Sequence, residues 1–472
     1  MKKVCLKNET INVVISIVLA ALFNFLFLGT EYLFENMMAY AADSEGVVLA
    51  QSYILGASVL GFVLFPVVNR LVSSGMKRIL LLCGNVLGVI CIFLIQQHVS
   101  YATILIPGLI FFGFLGAVGS GVHYWVFCVF GGSRHLAKMM GASYALGILL
   151  QFINNNCVKN DVAEAVVLSV SLMFFLIFIL KLRNEAACER QKEAGEAAAE
   201  RGTLKSRAVA AGGLVTCVVL MTCVFSTLDN AVTLVHASGS ADIGQWPRLL
   251  LALSGLTAGF LYDRKGRRFM NLLMYSVTLL STICVVVIQS GGPFLAGLVV
   301  FYLSAGFFVV FFTVSFMDLA CYMKIPELWA GIGRAVNNIC VVLTSALSVT
   351  LLSSKDSMVI IITALILFVL ISIAIYVYQS QFGGEETKKD EQPVVDDTEK
   401  FSAFSEQFSL TDREQDVLKV LLESDENVQE IAEQLLISRA ALYRHITSLN
   451  EKTETKSRIG LLQFYYSWKK KN

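Results

Sequence analysis

Near the carboxyl end, Arg439, Ala440, Tyr443, Arg444 and Thr447 recur at the three- and four-residue spacing that gathers side chains on one helical face. A guanidinium on such a face can donate two parallel hydrogen bonds to a guanine edge or grip a phosphate, so Arg439 and Arg444 suit nucleic acid. Lys452, Lys456 and Arg458 follow beyond the base-reading turns, where a cation contributes affinity with little sequence preference. Charge sorts the same way: residues 439–472 hold eight Lys and Arg against two acids, and residues 401–438 hold two against nine. Only the basic half can lie against a polyanion.

Elements must exist to present those groups. Leu442, Ile446 and Leu449 fall on the opposite side of the same predicted helix and must face a core. Ser438 caps that helix. Upstream, Thr411-x-x-Glu414 is a capping box, in which the hydroxyl takes the Glu414 amide and the carboxylate reaches back. Val417, Leu418 and Leu421 give that helix one apolar face. Asn427-x-x-Glu430 repeats the arrangement and opens a short helix carrying Ile431, Ala432 and Leu435. Two short helices joined by a tight turn, the second freshly capped, form a helix-turn-helix pattern.

These residues carry a resemblance. Leu410, Thr411, Arg413, Glu414, Val417 and Leu418 look like the opening of the LuxR-type DNA-binding domain. Glu430, Ile431 and Ala432 resemble its E-I-A, Ser438 its helix cap, His445 its histidine, and Lys452 and Arg458 its ending. The match runs about 60 residues without a gap. Tyr443 stands where the family usually has lysine, and Leu442 where it usually has valine, a conservative core exchange. The resemblance implies double-stranded operator DNA as a partner. It also implies a dimer on DNA, paired through a fourth helix bearing Leu461, Leu462 and Tyr465.

The remainder of the chain is a different material. Across 472 residues, 56% hydrophobic and only 15% charged content with a mean hydropathy of +0.67 describe an integral membrane protein with something soluble attached. The pooled net charge of +1 therefore says nothing. Eleven cysteines are scattered singly, with no CxxC and no Cys/His cluster, so they read as apolar filler. No metal or cofactor is expected, and with no kinase core, nucleotide loop or catalytic triad, no enzyme.

Apolar runs of spanning length fall at 11–29, 47–68, 79–96, 101–126, 140–157 and 163–181, then at 208–230, 246–262, 269–289, 293–317, 329–352 and 357–378. Ala39-Tyr40-Ala41 resembles a signal cleavage site. The first run is too long for a signal core, and Glu31 and Glu35 intervene, so it is taken as an uncleaved span. Segments on the amino-terminal side of the membrane hold 21 Lys and Arg, and the opposite side holds three, Lys159, Arg248 and Lys355. Both termini are therefore expected in the cytoplasm, at the inner membrane of a bacterium.

The loop after the eighth span contains Gly259, Leu261, Asp263, Arg264, Gly266, Arg267 and Arg268, and resembles the G-x-L-x-D-R-x-G-R-R signature of the major facilitator superfamily. Gly266 would permit a tight turn, and Asp263 would pair with basic groups at neighbouring helix ends. After the second span the counterpart is Gly61, Asn69, Arg70, Gly75, Lys77 and Arg78, with Asn69 at the aspartate position.

The expected fold is thus all-α: a twelve-helix (6+6) transmembrane bundle resembling the major facilitator fold, plus a C-terminal four-helix LuxR-type helix-turn-helix domain. The expected divisions are 1–182 and 208–378 for the two six-helix halves and 183–207 for a cytoplasmic segment between them. Residues 379–405 form an acidic flexible linker and 406–472 the DNA-binding domain. A linker of that length wanders about 30 Å.

No Asp, Glu, Lys, Arg or His is expected near the middle of any span, which argues against proton-coupled transport. The polar residues at depth are Asn24, Asn85, Gln151, Asn337 and Asn338. Glu31, Asp229 and Arg248 lie at outer ends of their spans, where repeats lining one cavity would place ligand-binding groups. The expected function is a one-component, membrane-tethered transcription regulator in which the transporter-like domain senses an unknown small molecule. The alternative is an active transporter with a regulatory DNA-binding tail.

Overall fold

The structure, a computed structural model, describes residues 2–181, 204–239, 246–267, 269–353, 356–390, 397–423, 429, 431–432, 435, 437–455 and 457–468. The chain divides into two compact units, Met1–Gln381 and Phe382–Asn472.

The first unit is built of α1 (Lys2–Met38), α2 (Ser44–Leu71), α3 (Ser74–Gln96), α4 (Tyr101–Phe130), α5 (Leu136–Cys157) and α6 (Asp161–Lys181). It continues with α7 (Leu204–Ala237), α8 (Pro247–Tyr262), α9 (Met270–Gln289), α10 (Phe294–Ala320), α11 (Pro326–Ser353) and α12 (Ser357–Asp390), the last running past the unit's end at Gln381. Short polar caps start several of them. Asp43 accepts the Gly46 amide at 2.9 Å, and Ser100 and Thr103 form a reciprocal box ahead of α4. Among the described residues eleven helices are long and apolar enough to cross a membrane, and the run at 246–262 forms the shorter α8 of 16 residues.

The helices differ in how much of each the rest of the bundle covers. The most apolar windows of α3, α6, α9, α11 and α12 are 28, 39, 28, 33 and 22% buried, against 50% or more for α1, α2, α4, α5, α7 and α10. The halves meet where α2 packs on α11 and α5 on α8. Phe23, Phe27, Phe62, Phe112, Phe312 and Phe316 fill the core between them. Glycines set the closest approach: a Cβ on Gly259 of α8 would fall 2.6 Å from the Ala137 carbonyl oxygen of α5.

Several expectations change here. α1 continues to Met38 and α7 to Ala237, so Glu31, Glu35 and Asp229 lie inside helices rather than at their ends. Arg334, counted in the sequence as a loop charge, sits two turns inside α11 and is only 7% exposed. His123 is likewise buried within α4. The helix bundle therefore buries ionisable groups. Among the cysteines, Cys91, Cys217, Cys284 and Cys340 are buried and free, Cys83 and Cys157 are exposed, and Cys128 is disulfide-bonded. Of the 183–207 segment, only residues from Leu204 onward are described, and they already belong to α7.

The second unit comprises α13 (Asp397–Gln407), α14 (Asp412–Glu423), α15 (Arg439–Lys452) and α16 (Arg458–Ser467), with Ile431 and Ala432 helical between α14 and α15. Its core is Leu410, Val417, Leu418, Leu421, Ile431, Ala432, Leu442, Ile446, Leu449, Leu461, Tyr465 and Phe404. Phe404 comes from α13, inside the stretch read as flexible linker, and is fully buried. Helical backbone also runs through 379–390 at the end of α12. An aromatic side chain every few residues (Phe401, Phe404, Phe408) converts the last part of that stretch into packed helix.

Candidate functional site

In the second unit the caps form as the residues demand. Thr411 donates its amide to Glu414 Oε2 at 2.8 Å, the Glu414 amide reaches Thr411 Oγ1 at 3.4 Å, and Ser438 Oγ accepts the Ala441 amide at 3.2 Å. The second box, Asn427 to Glu430, lies outside the described residues. With Leu442, Ile446 and Leu449 turned inward, Arg439, Ala440, Tyr443, Arg444 and Thr447 are all exposed on the other face of α15. Tyr443, 52% exposed, stands beside Arg444, whose Nε lies 3.5 Å from the Ala440 carbonyl oxygen. The guanidinium remains free to reach outward in the manner that base-edge recognition uses.

The flanking cations divide. Lys452, expected at phosphate, instead turns inward: its Nζ donates to Glu414 Oε2 at 2.6 Å and to the Ser409 carbonyl at 2.8 Å. Glu414 also accepts the Ser448 hydroxyl at 2.6 Å. Burial alone would raise this carboxyl, but Lys452, Ser448 and Thr411 outweigh it and hold it down at about 2. The sequence hides this bond because its partners lie 38 residues apart. Lys456 lies outside the described residues, and Arg458 opens α16 with its side chain outside them. The fourth helix also departs from expectation: Leu461 and Tyr465 are buried in the unit's own core, leaving Leu462 half-buried.

In the membrane unit the signature loop acts across the two halves. Asp263 ends α8 and accepts the backbone amides of Ala137 at 3.1 Å and Lys138 at 2.8 Å, at the start of α5. His135, the residue in the capping position, makes no such bond itself. Asp263 is therefore the cap, placed where the helix dipole favours negative charge. Arg267 lies 3.5 Å from Asp263, pairs with Asp318, and donates to the Ser133 carbonyl at 2.7 Å. The left-handed residue of the turn is Arg267, with φ 68°, rather than Gly266, which lies in the 3-10 turn Arg264–Arg267. Arg264 is exposed, and Arg268 lies outside the described residues. In the first half, Arg70 forks onto Glu327 in the first turn of α11 at 3.2 and 2.8 Å, while Lys77 holds Asn69.

Deeper in the membrane unit, the structure brings Glu31, Asp229 and Arg248 together, with Glu35, close enough to act on one another electrostatically. Gln51 donates to Glu31 at 3.0 Å, and Arg248 donates to Gln151 at 2.6 Å while lying over the Tyr32 ring. Beside this group, on the face opposite the basic loops, is a cavity of about 360 Å³ lined by Glu35, Asn36, Asp161, Thr233 and His236. None of the three predicted residues lines it. The missed residue is Glu35, four positions after Glu31 and so on the same helical face, a spacing that could have found it. Arg334, also missed, donates to Asn24 at 3.3 Å between the rings of Phe27 and Phe312.

Two six-helix halves packed at α2/α11 and α5/α8 make up the membrane unit, and the second unit presents the exposed face of α15 bearing Arg439 and Arg444. Residues 408–465 match the family described as bacterial regulatory proteins, luxR family. The membrane unit is similar in fold to the major facilitator transporter FucP in its outward conformation, at TM-score 0.51 and 10% identity over 78% of this chain and 99% of that one. It is similar also to a bacterial homologue of the human drug peptide transporters PepT1 and PepT2, at TM-score 0.54 and 10% identity over 79% and 99%. The human organic anion transporter MFSD10 gives TM-score 0.51 and 15% identity over 79% and 99%. No curated protein matches the chain in sequence. Residues 408–465 thus form a luxR-type DNA-binding domain, and it is joined to a membrane unit that has a major-facilitator-like fold.

Proposed function

We propose that this protein is a membrane-tethered, one-component transcription regulator. The membrane domain senses a small molecule, and its state sets how the luxR-type unit engages operator DNA. The carrying observation is the exposed face of Arg439, Tyr443, Arg444 and Thr447 on a capped helix, in the same chain as a transporter fold. Both termini lie on the cytoplasmic side of the inner membrane in this reading, supported by the excess of Lys and Arg on that side. Dimerisation of the DNA-binding units would juxtapose two half-sites.

The test uses the full chain in its own membrane, with chromatin immunoprecipitation to find its sites. Arg444→Ala is expected to lower occupancy by about 5- to 150-fold, the 1–3 kcal/mol of a good base contact, with protein level unchanged. Lys456→Ala should weaken specific and random DNA alike. A reporter fused after residue 378 should read cytoplasmic; an external reading would end the proposal.

A further inference from the structure

The cavity beside α1 and α7 carries a second inference, which rests on the sensing reading above. It is walled by both halves: α1 supplies Glu35 and Met37, α6 supplies Asp161, and α7 supplies Thr233 and His236. Glu35 is 5% exposed and lines the space, and its Oε2 is buried with no hydrogen-bond partner. A buried carboxylate oxygen without a donor is costly, so a donor from a ligand would be strongly favoured there. Charge points the same way: Glu31, Glu35, Asp161 and Asp229 cluster around the cavity and beneath it, with Arg248 their nearby cation and Arg334 deeper. Arg248 does not line the cavity, and its Nη1 is directed to Gln151. Tyr40, whose ring stacks on that of His98 at 4.7 Å, adds an aromatic wall. Among the described residues no group of acidic, His and Cys side chains converges as metal ligands, so an inorganic ion is the poorer fit. At about 360 Å³ the space is within the range of small-molecule pockets.

We propose that this cavity binds an organic ammonium compound, its N–H groups donating to Glu35 and Asp161 and its carbon skeleton lying against Met37 and Tyr40. This is the class of compound to which the membrane unit responds.

The test is calorimetric titration of the full chain in lipid nanodiscs with benzylamine and 4-phenylbutylamine, against benzoate and 4-phenylbutyrate. Saturable binding of an amine is expected, at least about tenfold tighter than its carboxylate counterpart, and weakened about tenfold by Glu35→Gln. Should Glu35→Gln fail to fold, Asp161→Asn, at a partly exposed helix start, takes its place with a weakening of about threefold. The assignment is overturned if neither amine saturates, if amine and carboxylate bind alike, or if a folded variant binds as the parent does. Operator occupancy in cells separates the two readings. Amine binding that depends on Glu35 but leaves occupancy unmoved keeps the cavity assignment and removes the sensing role. Occupancy that responds to a compound equally in the parent and in Glu35→Gln keeps the sensing role and removes the ammonium site.

Discussion

The loops after α2 and α8 occupy equivalent places in the two halves, yet they fasten the other half with opposite charge patterns. After α8 the loop brings the carboxylate: Asp263 caps α5, whose own start lacks a capping side chain. At the end of α2 the helix itself brings the base: Arg70, in its last turn, reaches Glu327, which α11 supplies from its own first turn. Asn69, also in the last turn of α2, stands where the aspartate would be and accepts from Lys77 in the first turn of α3. What the two junctions share is a carboxylate at a helix N-terminus under an arginine, and the dipole explains that preference. Which segment carries the acid is interchangeable. The DNA-binding unit repeats the device, with Glu414 in the first turn of α14 beneath Lys452.

The comparison breaks most severely at Asp263. Asp263→Ala leaves two backbone amides and Arg267 without their buried acceptor, so a loss of about 3–5 kcal/mol in stability is expected in thermal unfolding of the detergent-solubilised chain. A loss below about 1 kcal/mol would mean that α5 is capped by other means.

Next in size is Glu414. Its folded carboxyl is depressed to about 2 against an ordinary value of 4.5, so its stabilising effect is complete above the ordinary value and disappears as pH falls toward 2. Glu414→Gln should cost about 2–3 kcal/mol at neutral pH and remove most of that acid dependence. Circular dichroism of the tail unit across pH 2 to 6 would show it.

At the Arg70–Glu327 junction the effect is smaller, because the arginine side chain is 40% exposed. Arg70→Ala should cost about 1 kcal/mol. The exchanged pair, Arg70→Glu with Glu327→Arg, should recover less than half of the loss from either single change, since it sets a cation on a helix N-terminus. Full recovery would show that the pair acts without regard to the dipole. The smallest effect belongs to Asn69→Asp, a gain within about 0.5 kcal/mol through Lys77, which tests whether the first loop has any use for the missing carboxylate.

These junctions also mark what the sequence could disclose. Local chemistry was legible: the Thr411/Glu414 box, the Ser438 cap, the stripe of Leu442, Ile446 and Leu449, and the signature loop each depend on residues a few positions apart. Partnerships across long separations were not. Nothing near Lys452 announces Glu414, and nothing near Arg334 announces Asn24, 310 residues earlier, with two phenyl faces around it. A charge that interrupts an apolar run is naturally taken for a loop residue, because hydropathy cannot register what surrounds it in space. Glu35 was visible as a charge, but not as an oxygen left without a donor beside a cavity.

Aromatic packing in the second unit bears on how such a protein is assembled by recombination of genes. Phe404 lies 5.0 Å from Tyr465 and 5.3 Å from Trp468, ring to ring, and Phe408 lies 5.6 Å from Phe464. The stretch matched to the luxR family begins only at residue 408. A crossover at that point would carry α16 away from α13 and strip Tyr465 and Trp468 of their contact with Phe404. The transferable cassette therefore starts ahead of Asp397, and a productive fusion to another membrane domain must bring that preceding helix with it.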